Sequence, residues 1–360
     1  MKLSEIATAL NARLLGDGTI EIDRPVHPAD AEGPRDLALA MDPALVALLD
    51  GSPVRAAVVR DQQKVPAGRL DGCIVVGRSR YAMSRLLDIF NRPPHFARGV
   101  DKMAVVAAGA TLGEDVSIGP FCYVGANAKI GDRTILMANV TVGAEAIIGH
   151  SCLFHAGVRI GERVAVGNRV IIHHNASIGA DGFSFVTPEP GSVESAKATG
   201  NVEGTNREIV RVNSIGTVML GDDVEVGACS AIDRGTVSAT RVGRNTKIDD
   251  LVLVGHNCVI GENCMLCGQV GIAGSSVIED RVVLGGQAGV ADHVVIGSDS
   301  VIAGGTLIGH NVPPKSILMG YPPLPKKETF EMLYNVRRLG RLVHDVDKLK
   351  EQLNHLKKGG

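Results

Sequence analysis

The sequence predicts a mainly β protein, a triangular parallel β-helix of hexapeptide repeats with a small α/β domain before it and a helical extension after it. Three observations carry this. An aliphatic or equivalent residue recurs every six positions from Leu112 to Ile178, and Gly follows most of these beats. A small or β-branched residue stands two places before each one (Ala110, Val116, Cys122, Ala128, Thr134, Val140 and onward). The composition fits, with 44 Gly in 360 residues, 3% aromatic residues and no Trp, as in a repeat scaffold packed with Val, Ile and Ala.

Residues 1–100 read as the α/β unit. LSEIATALNARLL has apolar residues at helical spacing, with Ser4 as N-cap. The runs IEID, RAAVVR and CIVVG read as strands, and a second helix spans Tyr81 to Phe90, ending before Pro93-Pro94. Neither GxGxxG nor a phosphate loop occurs there.

Residues 101–320 carry the repeat. The beat stops at Gly179, resumes near Leu220, slips around Asp233 to Thr240, then runs from Val242 to Ile308. A six-residue period suits three short flat faces per coil, the aliphatic residue filling the interior and Gly or Asn relieving corners that need φ > 0. Coils stack at about 4.8 Å, so residues 18 apart lie above one another. The interruption at 180–214 is rich in Gly, Pro and Ser and is long for a connection. It reads either as a disordered loop or as a flap beside a cleft, with Phe183 and Phe185 at its base.

Residues 321–360 read as helical, with Leu339, Leu342, Val346, Leu349, Leu353 and Leu356 forming a heptad seam. Lys326–Lys358 carries nine Lys/Arg against five Asp/Glu. Such a helix either packs on its own chain or makes an oligomer contact that also offers positive charge to an acidic partner.

The formal net charge of −2 argues against a nucleic-acid binder. The N-terminus lacks a secretory signal pattern and no run of about 18 apolar residues exists, so no transmembrane segment and a cytoplasmic location are expected. Seven scattered cysteines do not form a secreted disulfide frame. Cys264-x-x-Cys267 has metal-knuckle spacing, but both residues fall on small-residue positions of the repeat and no second pair accompanies them, so no metal site is assigned.

Among eleven histidines, His256 and His293 are singled out by spacing. Gly274 lies one coil above His256, and His293 lies within one residue of two coils above it. An imidazole beside an uncovered backbone N–H suits acyl transfer: the base takes a proton from the nucleophile while the N–H holds the developing oxyanion. Without a GxSxG elbow, direct attack by a substrate amine or hydroxyl on a thioester fits better than a covalent serine route.

The runs IGADGFSF (178–185), AIDRG (231–235), KIDDLVLVGHN (247–257), GQVGIAGS (268–275) and VVLGGQAGVADH (282–293) resemble the UDP-3-O-acylglucosamine N-acyltransferase family of lipid A synthesis, over nearly the whole chain. The resemblance implies a left-handed β-helix, a homotrimer with active sites between subunits, and no bound cofactor. It implies a 3-hydroxyacyl donor carried by phosphopantetheine on acyl carrier protein, and the 2-amine of a UDP-3-O-(3-hydroxyacyl)glucosamine as acceptor. By position His256 matches the general base, His293 the second histidine and Gly274 the donor to the thioester carbonyl. Asp42, Asp181, Phe183, Asp249 and Asp250 are substrate-binding candidates, the last two standing where the family usually has Asp-Asn. The basic C-terminal helix fits docking of the acidic carrier.

Two segments depart from that pattern. Where the family carries an FxxNPxY stretch for uracil, residues 39–45 read LAMDPAL, with Asp42 in place of Asn and both aromatics gone. The flap ends in Asn213-Ser214 instead of Pro-Gln. A paralogue acting on another amino-sugar nucleotide or another acceptor, a zinc hydratase and a structural β-helix are the alternative readings.

Overall fold

The computed structural model describes residues 1–60, 68–320 and 325–358, without the side chains of 355–358. It divides into two compact units, Met1–His95 and Phe96–Gly360.

The first unit is a five-stranded sheet in the order β1-β5-β4-β3-β2, from Arg13–Gly16 (β1), Arg24–Val26 (β2), Asp36–Ala40 (β3), Ala56–Arg60 (β4) and Gly72–Val76 (β5). Only β1 runs antiparallel to its neighbour. Alternation along β3, β4 and β5 feeds two cores. Leu37, Val58 and Ile74 pack with Leu3 and Ile6 of α1 (Leu3–Ala9) and Leu86 of α3 (Ser79–Ile89). Ala38, Val59 and Cys73 pack with Val46 of α2 (Pro43–Ala47).

Three sequence expectations change here. LSEIATALNARLL is helical only to Ala9, because Asn11 turns left-handed (φ 49°) and Arg13–Gly16 leaves to pair with β5. The N-cap is Lys2, whose N–H donates to the Glu5 carboxylate at 2.7 Å, while Ser4 lies inside the helix. IEID makes only an isolated bridge, Lys2 with Glu21.

In the second unit the repeat closes into a three-faced parallel solenoid of ten-, nine- and eleven-stranded sheets, interrupted where the beat stops. Pairings such as Tyr123 with Thr141 and Val124 with Val142 show the 18-residue coil. Beat residues Ile118, Val124, Ile130 and Leu136 are buried, as are the small residues before them. Cys264 is one of these, its thiol donating to the Glu279 carbonyl at 3.0 Å, whereas Cys267 stands on the outer corner and is half-buried.

The corners follow only in part the expectation that Gly or Asn supplies positive φ. The left-handed position lies two residues after the Gly and holds Asp115, Asn127, Arg133, Asn139, Glu145 and Asn175, among others. Gly is needed instead because successive coils touch there. A Cβ on Gly143 would stand 2.5 Å from the Glu162 nitrogen and 2.7 Å from the Gly161 carbonyl carbon. The left-handed turn costs an L-residue roughly 1–2 kcal/mol, a cost that packing of the closed coil offsets.

The 180–214 segment is an ordered excursion. Phe185–Val186 pairs antiparallel with Val210–Arg211, and α4 (Ser192–Thr199) is capped by Glu194. The Gly182 N–H donates to the Ser214 hydroxyl at 3.3 Å and ties the two ends together. At the C-terminus, α5 (Lys326–Lys358) leaves Leu339, Leu342, Val346, Leu349 and Leu353 exposed, while the Leu356 side chain lies outside the described residues.

Gly143→Ala should lower the stability of the solenoid by about 1–3 kcal/mol through overpacking, and Glu145→Gly, two residues on, should change it by less than about 1 kcal/mol. Urea unfolding of the two variants checks this; equal losses would contradict the division of roles at the corner.

Candidate active site on one corner of the coil stack

The ten-stranded sheet brings Ser177–Asp181, Ala231–Arg234, Leu253–Val254, Gly271–Ile272 and Gly289–Val290 side by side. The residues leaving these strands share one corner. Asp181, Asp233, His256, Gly274 and His293 are therefore stacked over five successive rungs.

His256 is half-buried and held from several sides. A Cβ on Gly274 would meet its Nε2 and Cε1 at 2.7 Å, so the coil above rests directly on the ring. A Cβ on Gly182, at the start of the flap, would lie 2.6 Å from the His256 Cβ and 2.9 Å from its Cδ2. The imidazole is sandwiched between two glycines that could not be anything larger.

Its Nδ1 lies 3.0 Å from the Asn257 Oδ1. That oxygen is identified by its other partners, because it also accepts from the Thr236 backbone N–H at 3.0 Å, which can only donate. The Nδ1 proton is thus held by an acceptor, and Nε2 is left with its lone pair facing Gly274. The Asn257 N–H in turn donates to the Thr240 hydroxyl at 2.8 Å. The repeat slip at 233–240 is the loop that supplies these braces.

Gly274 is held by its carbonyl, which accepts from the His293 N–H at 3.2 Å, and by its neighbour Ser275, whose N–H donates to the His256 carbonyl at 2.9 Å. Among the described residues no protein acceptor takes the Gly274 N–H. His293 itself sits at a left-handed corner position (φ 59°), with its side chain exposed.

Sequence reasoning passed over Asp233 and Arg234 within AIDRG. Burial pushes the Asp233 carboxyl up to about 6; the nearby His256 pulls it down and Asp181 pushes it further up. Arg234, 12% exposed, donates to the Gly179 carbonyl at 2.8 Å and braces the strand where the flap departs. The slip in the beat beginning at Asp233 was the available signal for both.

The other sequence candidates divide. Asp181 lies near this corner, 3.4 Å from Arg211 and 3.9 Å from Arg234. Phe183 is 87% exposed at the flap base, edge-on to Phe185 with ring centroids 5.0 Å apart. Asp249 and Asp250 are on a different corner of the chain, after a strand of the eleven-stranded sheet. Both are engaged in joining coils: Asp249 accepts from the Gly268 N–H at 2.9 Å and Asp250 from the Ala228 N–H at 2.5 Å. They line a cleft of about 600 Å³ with His173, His174, Glu225 and Cys267. Asp42, in the first unit, caps α2 by accepting from the Ala44 N–H at 3.0 Å.

That second corner is a histidine stack. The His155 ring lies 4.9 Å from His173 and 4.7 Å from His174, and burial, then the neighbouring imidazoles, push its pKa down. His173 contacts Glu225 at 2.9 Å. His155 and His173 stack face to face while His174 is tilted, and among the described residues no group of three or more His, Cys, Asp or Glu could hold a metal ion. Among the described residues no helix is long and apolar enough to cross a membrane.

Residues 109–144 and 239–274 match the family of bacterial transferase hexapeptide repeats. The UDP-3-O-acylglucosamine N-acyltransferase of Ruegeria pomeroyi is 43% identical over 354 residues, covering 98% of this chain and 97% of its own. That of Paracoccus denitrificans is 48% identical over 280 residues, covering 76% and 75%. A solved Arabidopsis UDP-N-acetylglucosamine acyltransferase shares the fold, with a TM-score of 0.51 at 23% identity over 61% of this chain and 71% of that one.

An unfolded Asp ionises near 3.8, before the folded Asp233, so this group's contribution to stability falls as pH rises from about 4 to about 6 and stays lower above. Asp233→Asn should therefore raise the thermal midpoint relative to wild type more at pH 8 than at pH 4. The same offset at both pH values would contradict the buried carboxyl.

Proposed function

Because the chain belongs to the UDP-3-O-acylglucosamine N-acyltransferase family, we propose that it moves a 3-hydroxyacyl group from acyl carrier protein to the 2-amine of UDP-3-O-(3-hydroxyacyl)glucosamine. The observation that carries this reading is the His256 Nε2 facing Gly274, with the Asn257 Oδ1 at 3.0 Å behind the ring.

In this mechanism the thioester carbonyl takes the Gly274 N–H as its donor. His256 Nε2 removes a proton as the amine attacks, so the C–N bond forms while charge moves onto the carbonyl oxygen, where the N–H stabilises it. Collapse breaks the C–S bond, and the imidazolium returns the proton to the departing pantetheine thiolate. Asn257 keeps the tautomer correct, Asp233 favours the imidazolium when ionised, and His293 positions Gly274 through its backbone and meets the donor with its exposed ring. Asp181 and Phe183 contact substrate from the flap base.

The chain assembles as a homotrimer in this reading, supported by the uncovered heptad seam of α5 and by exposed aliphatic residues such as Leu253 and Val259 on the coil faces. Asp249 and Asp250 then act on substrate only from a neighbouring copy. The basic α5 suits the acidic carrier, and a carrier-bound thioester places the reaction in the cytoplasm. In the first unit, Asp42 is occupied in capping α2, so uridine recognition there proceeds without the aromatic stack, a loss of about 1–3 kcal/mol.

His256→Ala should reduce amide formation by at least about a hundredfold with the assembly unchanged, and Asn257→Ala by about 10–100-fold. Product mass spectrometry with 3-hydroxyacyl carrier and the UDP-sugar acceptor reads both; near-normal turnover of His256→Ala would remove the assignment.

A further inference from the structure

Beyond Phe183, the flap holds an apolar groove to which the mechanism gives no role, about 610 Å³ and walled by Phe183, Phe185, Val186, Val193 and Ile209. Its polar lining is already satisfied within the chain. The Thr187 hydroxyl donates to the Glu189 carbonyl at 2.6 Å, and the Glu194 carboxylate accepts from the Gly191 N–H at 3.2 Å. The Asn206 Oδ1 accepts from the Ser192 N–H at 3.0 Å and from the Ser192 hydroxyl at 3.1 Å. What the groove offers a ligand is hydrocarbon surface, in a volume ordinary for a small-molecule site.

The groove is also joined to the chemistry at both ends. Phe183 follows Gly182, whose backbone rests on the His256 ring. Lys197, in α4, reaches Asp292, the residue before His293, at 3.4 Å. This ion pair is exposed on both sides, so its own hold on the flap is weak.

We propose that the flap groove is a binding site for the hydrocarbon tail of a substrate 3-hydroxyacyl group, so that the flap, and not only the coil faces, selects chain length. The inference rests on the acyl-transfer reading above. Both the donor and the O-acylated acceptor carry such a tail, and each buried methylene would contribute about fourfold in affinity.

The test uses the full-length protein and product mass spectrometry in two arms. One arm offers mixed chain lengths of 3-hydroxyacyl carrier with a fixed acceptor, and the other offers mixed O-acyl lengths of acceptor with a fixed donor. Val193→Trp and Ile209→Trp each fill the groove from its lining; both positions are exposed (63% and 64%), so neither enters the core. Each variant should disfavour the longest chain by about tenfold relative to the shortest in one arm, which identifies the tail bound, with short-chain turnover unchanged. An unaltered length distribution in both arms, with both variants folded, overturns the proposal. So does a changed subunit number in ultracentrifugation with no change in length preference, which would make the groove a seam between copies. Failure of the wild-type protein to form any amide would instead remove the reading beneath it.

Discussion

Closure of the coil every 18 residues is the constraint on which the rest of the structure depends. Each strand has hydrogen-bonded neighbours directly above and below, so whatever leaves a strand at a corner is stacked on what leaves the strands a coil away. At most corners Gly stands where coils touch, and the residue two places later adopts a left-handed turn. Packing of the buried beat residues offsets that turn cost at every corner.

The His256 corner adds to this arrangement. Elsewhere the Gly of one coil meets the backbone of the next, as Gly143 meets Gly161 and Glu162. Around His256, Gly255 meets the Gly274 backbone in the same way, and two further glycines, Gly274 and Gly182, meet the imidazole. The two irregularities of the solenoid flank this ring. The flap departs at Gly182 against its side, and the 233–240 slip delivers Thr236 and Thr240 to Asn257. A regular repeat has no room for either brace. The breaks in the beat therefore supply what the beat itself cannot: a braced partner for the His256 Nδ1 and a buried acid close to the imidazole.

Much of this was legible in the sequence, for reasons that also explain what was not. The hexapeptide period is a long, redundant signal, and it correctly put Gly274 against His256 and His293 close above. The expectation that Gly or Asn takes positive φ holds at Asn127, Asn139 and Gly157 but is incomplete, because composition does not show that residues such as Arg133 and Glu145 also take the turn. LSEIATALNARLL lost half its helix because pairing of Arg13–Gly16 with β5 outweighs local periodicity. Asp249 and Asp250 lie seven and six residues before His256, close in sequence, yet one six-residue face places them on a different corner. Asp233 lies 23 residues before His256 and is its neighbour, because the slip adds residues to that coil. The flap was readable only as an interruption, since its fold depends on single contacts such as Gly182 with Ser214 that leave no pattern.

The central claim, that a base at His256 seated between Gly182 and Gly274 carries the transfer, is tested most directly by chemical rescue. In His256→Gly protein, added imidazole should restore amide formation saturably, while the bulkier 2-methylimidazole, too large for the slot between the two glycines, should not. A folded variant that recovers with neither, or equally and without saturation with both, would contradict it.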